Sequence, residues 1–457
     1  MPLKFDAMVP AQPLRRAAEL GRQAAAAGLS GLVVTEAGRT AYLTCGAIAV
    51  AADIDVLTGI AVAFPRSPMV TAATAWELAE ASGGRFRLGL GSQVRAHIER
   101  RYSAEFAHPG PRLREYVLAV KQIFESFRSG APLAVEGEFY NLSLLPPIWS
   151  PGAIDCADPP VDVAAVSPWM LRMAGEVADG VHVHPLHTPT YVRETLLPNL
   201  EAGAALSGRR LEDLEIIVPA FLVVGDTEAE RAVWRERARV QVAFYGSTPN
   251  YAFIFEQLDR EDMTDLLRER QRAGDIAGMA AAIDDDLLEN FVTEGRWDDM
   301  ADKIVAKYGG IATRVVSYFT GIDVVQDPAA FERWGALARQ VRNISELGAV
   351  STGRRQNRSP SVREGRGPLG PAAEHPPLGL RGLVGFLGGQ FGIEVGVRPA
   401  GELFVLADHV PAVDDGRDVI ARVLVVIRRH IVIGEQLNEV VVLVGSGRRR
   451  HPGLAVS

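Results

Sequence analysis

Only two cysteines, Cys45 and Cys156, and four lysines occur in the 457 residues, and no apolar run approaches the thickness of a bilayer. Each scarcity removes a class of protein. Two thiols without metal-pair spacing make neither a disulfide framework nor a zinc ligand set, so reduced, buried cysteines are expected. About 20 consecutive apolar residues are needed to cross a membrane, and none are found. No basic start followed by an apolar core opens the chain as a secretory signal would. The formal charge of −8 argues against an electrostatic grip on nucleic acid. The absence of G-x-x-x-x-G-K-[ST] excludes a P-loop. These absences lead to the expectation of a cytoplasmic protein with neither nucleic-acid nor membrane partners.

What is present is a regular alternation of short apolar runs and amphipathic stretches. Runs at Leu3–Val9, Leu29–Glu36, Asp55 onward, Phe86–Gly91, PVDVAAVS from Pro160, DGVHVHP from Asp179, Leu214–Val224 and Thr313–Phe319 read as eight strands. Helices are expected between them. One opens at Pro13 with Leu14, Ala18, Gly21 and Ala25 on one face. Another has Ser67 as N-cap and stops at Gly83–Gly84. A third starts at Pro111 with Leu113, Val117, Val120, Phe124 and Phe127 in line. Thr227 and Glu230 form a capping box. Ser129–Pro160 reads as a proline-rich excursion with a small hairpin over one barrel end, Pro249–Asn290 as a charged helical insertion, and the closing helix ends near Asn343.

Eight strands alternating with helices predict a closed α/β barrel, the (β/α)8 TIM barrel with insertions, over 1–343. Residues 344–457 read as an Arg/Gly/Pro-rich linker and poorly organised extension, disordered by composition. The same mixture arises when a GC-rich stretch is translated in a non-native frame. The runs VLVVIRRHIVIG and VVVLVGSG have strand composition, but no hairpin turn organises them.

In a parallel barrel the ligand lies at the carboxyl ends of the strands. That directs attention to Glu36, Gly59–Ala63, Ser92, Gln93, Ser167 and His182–His187. Glu36 is either a general acid or a barrel-top salt bridge. Ser167 opens a helix with bare amides, either a phosphate site or an ordinary N-cap. His182 and His184 share a strand face, but no further strand-end ligands complete a metal site, and none is expected.

The segments TGIAVAFPRSPMVTAATAWELAEASGGRFRLGLGSQV, PPVDVAAVSPWMLRMAGEVADGVHVHP and QVAFYGSTPNY resemble the luciferase-like flavin monooxygenase superfamily. Within it they are most similar to coenzyme F-420-dependent oxidoreductases of actinobacterial type. The resemblance spans Leu3 to Asn343. It implies a dimeric TIM barrel holding a deazaflavin, or alternatively FMN, at its carboxyl end. It also implies a non-prolyl cis peptide at Gly59–Ile60 beneath the ring, ring and ribityl contacts from Ser92 and Gln93, and a phosphate-binding helix start at Ser167, Pro168 and Trp169. Glu36 stands where many relatives carry Asp. Ala37 and Val94 replace the His and Glu of relatives that dehydrogenate sugar phosphates, which argues against that substrate class. The expected activity is hydride transfer between coenzyme F-420 and an organic substrate, with Glu36 and His184 as proton donor or substrate contacts. A reduced-FMN monooxygenase and a non-catalytic flavin-binding protein are the alternatives.

Overall fold

The computed structural model describes residues 2–354 and four later strands, 393–397, 403–411, 420–432 and 435–446. In the first unit eight parallel strands close on themselves: β1 (Lys4–Pro10), β2 (Gly31–Thr35), β3 (Asp55–Thr58), β4 (Phe86–Gly91), β5 (Val161–Ala165), β6 (Gly180–Val183), β7 (Glu215–Val224) and β8 (Arg314–Ser317). The closing registers are Glu215 with Gly180, Ile217 with Arg314, and Lys4 with Arg314. This is the expected TIM barrel. Strand β7 outruns its neighbours, and its last residues, Phe221–Val224, pair with a further strand, Val292–Gly295. That short strand was not anticipated, because it sits at the end of a charged helical insertion.

The helices follow their punctuation closely. Helix α1 (Leu14–Ala27) ends at Gly28, helix α2 covers Ala41–Ala49, and helix α3 (Pro68–Ser82) starts on Ser67, whose hydroxyl accepts from the Val70 amide at 3.2 Å. Helix α4 (Pro109–Ser129) buries the predicted Leu113, Val117, Val120, Phe124 and Phe127. It begins two residues before the predicted Pro111, because Pro109 already takes the first turn. Helix α1 buries Ala17, Leu20, Gly21 and Ala24, a different stripe from the predicted one, and leaves Leu14 exposed. Alanines lie nearly all round this helix, so small-residue spacing does not select a face.

The hairpin of the excursion, Val135–Glu136 with Asn141–Leu142, does form, and it packs against the first turns of α4. The Glu115 carboxylate on α4 accepts the backbone N–H groups of Glu138, Phe139 and Tyr140. The final helix runs Ala330–Arg354, past the predicted end at Asn343, since no proline occurs before Pro360 to stop it. Its Ser345 hydroxyl accepts the Leu3 amide at 2.9 Å, tying the helix to the start of β1. In the second unit, both apolar runs of the extension are strands. Ile420–Val432 pairs antiparallel with Glu435–Ser446, in a four-stranded sheet, an organisation their β-branched composition favours. The linker between the units lies outside the described residues.

The amino-terminal half of the barrel interior is ionic. Arg314 of β8 is 1% exposed and donates to both oxygens of Asp6 on β1, at 2.7 and 2.8 Å, and to Asp55 of β3 at 2.9 Å. Arg87 of β4 grips Asp162 of β5 at 2.9 and 2.6 Å. Above this layer Met8, Val33, Leu57, Ile217 and Val316 make an apolar plug. Arg314→Met removes the shared cation and leaves buried carboxylates facing one another. It is expected to lose about 3–5 kcal/mol of stability, measured by urea unfolding at neutral pH.

Candidate functional site

The pairing of β3 with β4 is interrupted at its carboxyl end. Val56 and Leu57 face Phe86 and Arg87, and pairing resumes with Ala61 and Val62 opposite Leu90 and Gly91. Three residues, Thr58–Ile60, therefore stand opposite two, Leu88 and Gly89, a bulge that leaves ladder groups without backbone partners. Thr58 supplies them: its buried hydroxyl accepts from the Gly89 N–H and donates to the Gly89 C=O, both at 2.8 Å. Within this bulge the Gly59–Ile60 peptide is cis. Gly59 has no room for a side chain, since a Cβ there would come within 2.1 Å of Val33 Cγ1. Ile60 turns its side chain against Gly91, so the bulge forms a flat shelf bridging two strand ends.

Glu36 at the end of β2 holds the shelf from behind. One oxygen accepts the Val62 N–H at 2.7 Å and Arg66 Nη1 at 3.0 Å; the other accepts Arg66 Nη2 at 2.5 Å. The side chain is 3% exposed. The structure shows the barrel-top salt bridge, with both oxygens of Glu36 engaged by Arg66 and the Val62 amide.

Ser92 and Gln93 lie half-buried just past β4. Gln93 has a φ of 56°, and its Oε1 accepts the Val94 N–H at 2.9 Å, while the Ser92 hydroxyl donates to the Gln93 carbonyl at 3.3 Å. Across the mouth, helix α5 (Pro168–Val177) starts on Ser167. Both Ser67 and Ser167 precede a first-turn proline, yet Ser67 caps its helix and Ser167 makes no side-chain capping bond. The ordinary N-cap is thus not what Ser167 provides. Pro168 and Trp169 are exposed, and the Trp169 ring lies over Gly110 at the start of α4.

The histidines on and just past β6 divide between layers. His182 points inward beneath the shelf, where a Cβ on Gly89 would be 2.4 Å from its Nε2, and that nitrogen is buried without a partner among the described residues. Burial, with Arg87 and Arg314 below, lowers its pKa to about 3. His184 stands at the mouth with its ring 4.6 Å from Tyr245 and 4.3 Å from Tyr251, centroid to centroid. Its Nδ1 accepts the Leu186 N–H at 3.1 Å, and burial, then His187, lowers its pKa to about 3. His184 is therefore a neutral imidazole with its proton on Nε2, a hydrogen-bond donor rather than an acid. Tyr245 also shares a hydrogen bond with Tyr318 at 2.6 Å. Thr58, Arg66 and Tyr318 were not singled out from sequence, since their roles depend on partners distant along the chain. Tyr245 and Tyr251 lie in the quoted QVAFYGSTPNY without an assigned part.

With shelf, mouth and open helix start in view, the comparison with known proteins is direct. The luciferase-like monooxygenase profile matches residues 2–314. The chain belongs to this family. An uncharacterized protein of Mycobacterium tuberculosis is 36% identical over 321 residues, 69% of this chain and 93% of that one. The 5,10-methylenetetrahydromethanopterin reductase of Archaeoglobus fulgidus is 29% identical over 258 residues, 55% of this chain and 72% of the reductase. The structure of the coenzyme F-420-dependent tetrahydromethanopterin reductase of Methanopyrus kandleri matches with a TM-score of 0.60 at 21% identity, covering 73% of this chain and 98% of that one. That likeness carries the fold.

Among the described residues no group of three or more His, Cys, Asp or Glu is placed to hold a metal ion, and no helix is long and apolar enough to cross a membrane. A cleft of about 520 Å³ opens at the opposite, amino end, lined by Arg87, Lys121, Asp179 and Glu215. Its cations are already paired, Lys121 with Asp179 at 2.7 Å and Arg87 with Asp162.

Gly59→Ala is expected to destabilise the protein by about 1–3 kcal/mol through overpacking against Val33, with at least half recovered in Gly59→Ala/Val33→Ala; thermal unfolding of both variants checks this. The depressed pKa of His182 has a definite sign. Unfolded histidine takes up a proton below about pH 6.5 while folded His182 does not until about 3, so its stabilising effect is full above pH 6.5 and lost as pH falls. At roughly 1.4 kcal/mol per unit, it accounts for about 2 kcal/mol between pH 6.5 and 5. Urea midpoints should therefore fall less over that range in His182→Leu than in the native protein.

Proposed function

We propose that the protein is an oxidoreductase that transfers hydride between coenzyme F-420 and an organic substrate, the coenzyme lying on the Gly59–Ile60 shelf. The observation that carries this reading is the shelf of small, bare strand ends at Gly59 and Gly91, facing a serine-opened helix start whose hydroxyl is not spent on capping. The kinship with tetrahydromethanopterin reductases supports it. These residues fit a flat tricyclic ring with a phosphorylated tail: small, bare strand ends for the ring, and hydroxyl plus amide donors for the phosphate. When bound, the deazaflavin supplies the hydride chemistry, and the protein supplies orientation and electrostatics.

In this reading Ile60 and Gly91 support the ring face, and Ser92 and Gln93 meet its edge. Ser167 with the first free amides of α5 takes the phosphate, and Trp169 walls that end. Glu36 and Arg66 position the shelf through Val62. His184 offers its Nε2–H to the substrate, and Tyr245 and Tyr251 fix the imidazole plane and exclude water around it. Glu36 is engaged by Arg66 and the Val62 amide, and substrate polarisation falls to neutral donors such as His184.

Titration of the purified protein with coenzyme F-420 and with FMN, read by fluorescence quenching, should give saturable binding of F-420 and anaerobic hydride transfer from its reduced form. Tight FMN binding with oxygen-dependent turnover would overturn the proposal. His184→Phe keeps the aromatic packing and removes the N–H. It should lower kcat about tenfold, the worth of one hydrogen bond of about 1.4 kcal/mol, with coenzyme affinity unchanged.

A further inference from the structure

The helix that returns from the overlong β7 to the barrel mouth, Glu228–Gly246, carries two polar side chains whose burial the fold does not explain. Arg237 is 6% exposed, and its Nη1 is buried without a hydrogen-bond partner among the described residues. Gln241, one turn on, is 1% exposed, and its Nε2 is likewise buried and unpartnered. The Arg237 guanidinium lies over the Trp234 ring at 4.7 Å. Asp323 acts on it electrostatically, but that carboxylate is engaged by the Trp334 indole N–H at 2.8 Å. A buried cation without a bonded counter-charge is costly by several kcal/mol, and an unpaired buried amide adds to that. Groups that break the satisfaction rule in this way collect at functional sites.

Residues 237, 241 and 245 are spaced i, i+4, i+8 and follow one face of the helix. The last of them, Tyr245, contacts His184 and bonds Tyr318. The orphaned donors thus lead away from the reacting end of the site, and both lack an acceptor. A guanidinium fork beside an amide N–H suits the two oxygens of a carboxylate.

We propose that Arg237 and Gln241 form a carboxylate-binding subsite, so that the substrate is an organic acid. With a rise of 1.5 Å per residue, its carboxylate lies roughly 6–12 Å from the carbon that reacts beside His184. The substrate assignment rests on the hydride-transfer reading above; the anion subsite itself does not.

The test uses the full chain without coenzyme, with benzoate and benzamide as matched probes at constant ionic strength, read by thermal unfolding and calorimetry. Benzoate should raise the unfolding midpoint in a concentration-dependent way and benzamide should not. Arg237→Met should raise the midpoint of the unliganded protein, because an unpaired buried charge is removed, and weaken benzoate at least tenfold. Gln241→Glu, which supplies an internal carboxylate one turn from Arg237, should do the same. Equal responses to benzoate and benzamide would overturn the subsite, as would lower midpoints in both variants, which would mean that Arg237 is paired within the protein. Because no coenzyme is present, failure of the F-420 reading leaves these outcomes unchanged. Conversely, Arg237→Met should bind F-420 as the native protein does.

Discussion

One cation holds the barrel closed. Arg314 enters at the last strand and bonds carboxylates on the first and third, with Glu215 on the seventh at 3.6 Å. Parallel strands whose partners are over 300 residues apart have little local reason to meet. A shared guanidinium with fixed fork geometry makes the meeting specific as well as favourable. Burial alone would push the Asp6 carboxyl upward, and the adjacent Arg314 opposes that push. The ionic layer also occupies the amino half of the interior, and the apolar plug above it seals that half from the mouth.

Everything above the plug is arranged around missing side chains. The shelf exists because Gly59 cannot carry a Cβ against Val33, and because Thr58 replaces the backbone partners that the bulge removes from Gly89. His182 fills the space beneath, at the cost of a nitrogen without a partner, and stays neutral there. Glu36 and Arg66 then hold the segment after the shelf through the Val62 amide. Glu36 and Arg66 are bound to one another, while Ser92, Gln93, His184 and Tyr245 bring neutral groups to the mouth. Such a surface orients and shields a reactive cofactor more readily than it donates protons.

The long β7 extends this logic outward. Its overhang pairs with Val292–Gly295 and lets the following helix come back across the mouth, bringing Tyr245 to His184. The same helix carries Arg237 and Gln241 inward with their donors unmatched. The shelf and the Tyr245–His184 contact are thus built from different parts of the chain, the barrel rim and the returning helix.

By itself the sequence determined the periodic elements, the eight strands, and most caps, because hydrophobic period, Ser-Pro starts and glycine stops act within a few residues. The α4 face was legible because large apolar residues mark it, while the α1 face was not, because alanine spacing is ambiguous. The position of the shelf at Gly59–Ile60 was legible through resemblance. Only the tertiary structure decided that Glu36 is bound by Arg66, that His184 is a neutral donor clasped by two tyrosines, and that Ser167 leaves its helix uncapped. Only it packed the hairpin against α4 and paired β7 with Val292–Gly295. Each of those outcomes depends on partners tens to hundreds of residues away, and burial and hydrogen bonding between such partners leave no periodic mark in the chain.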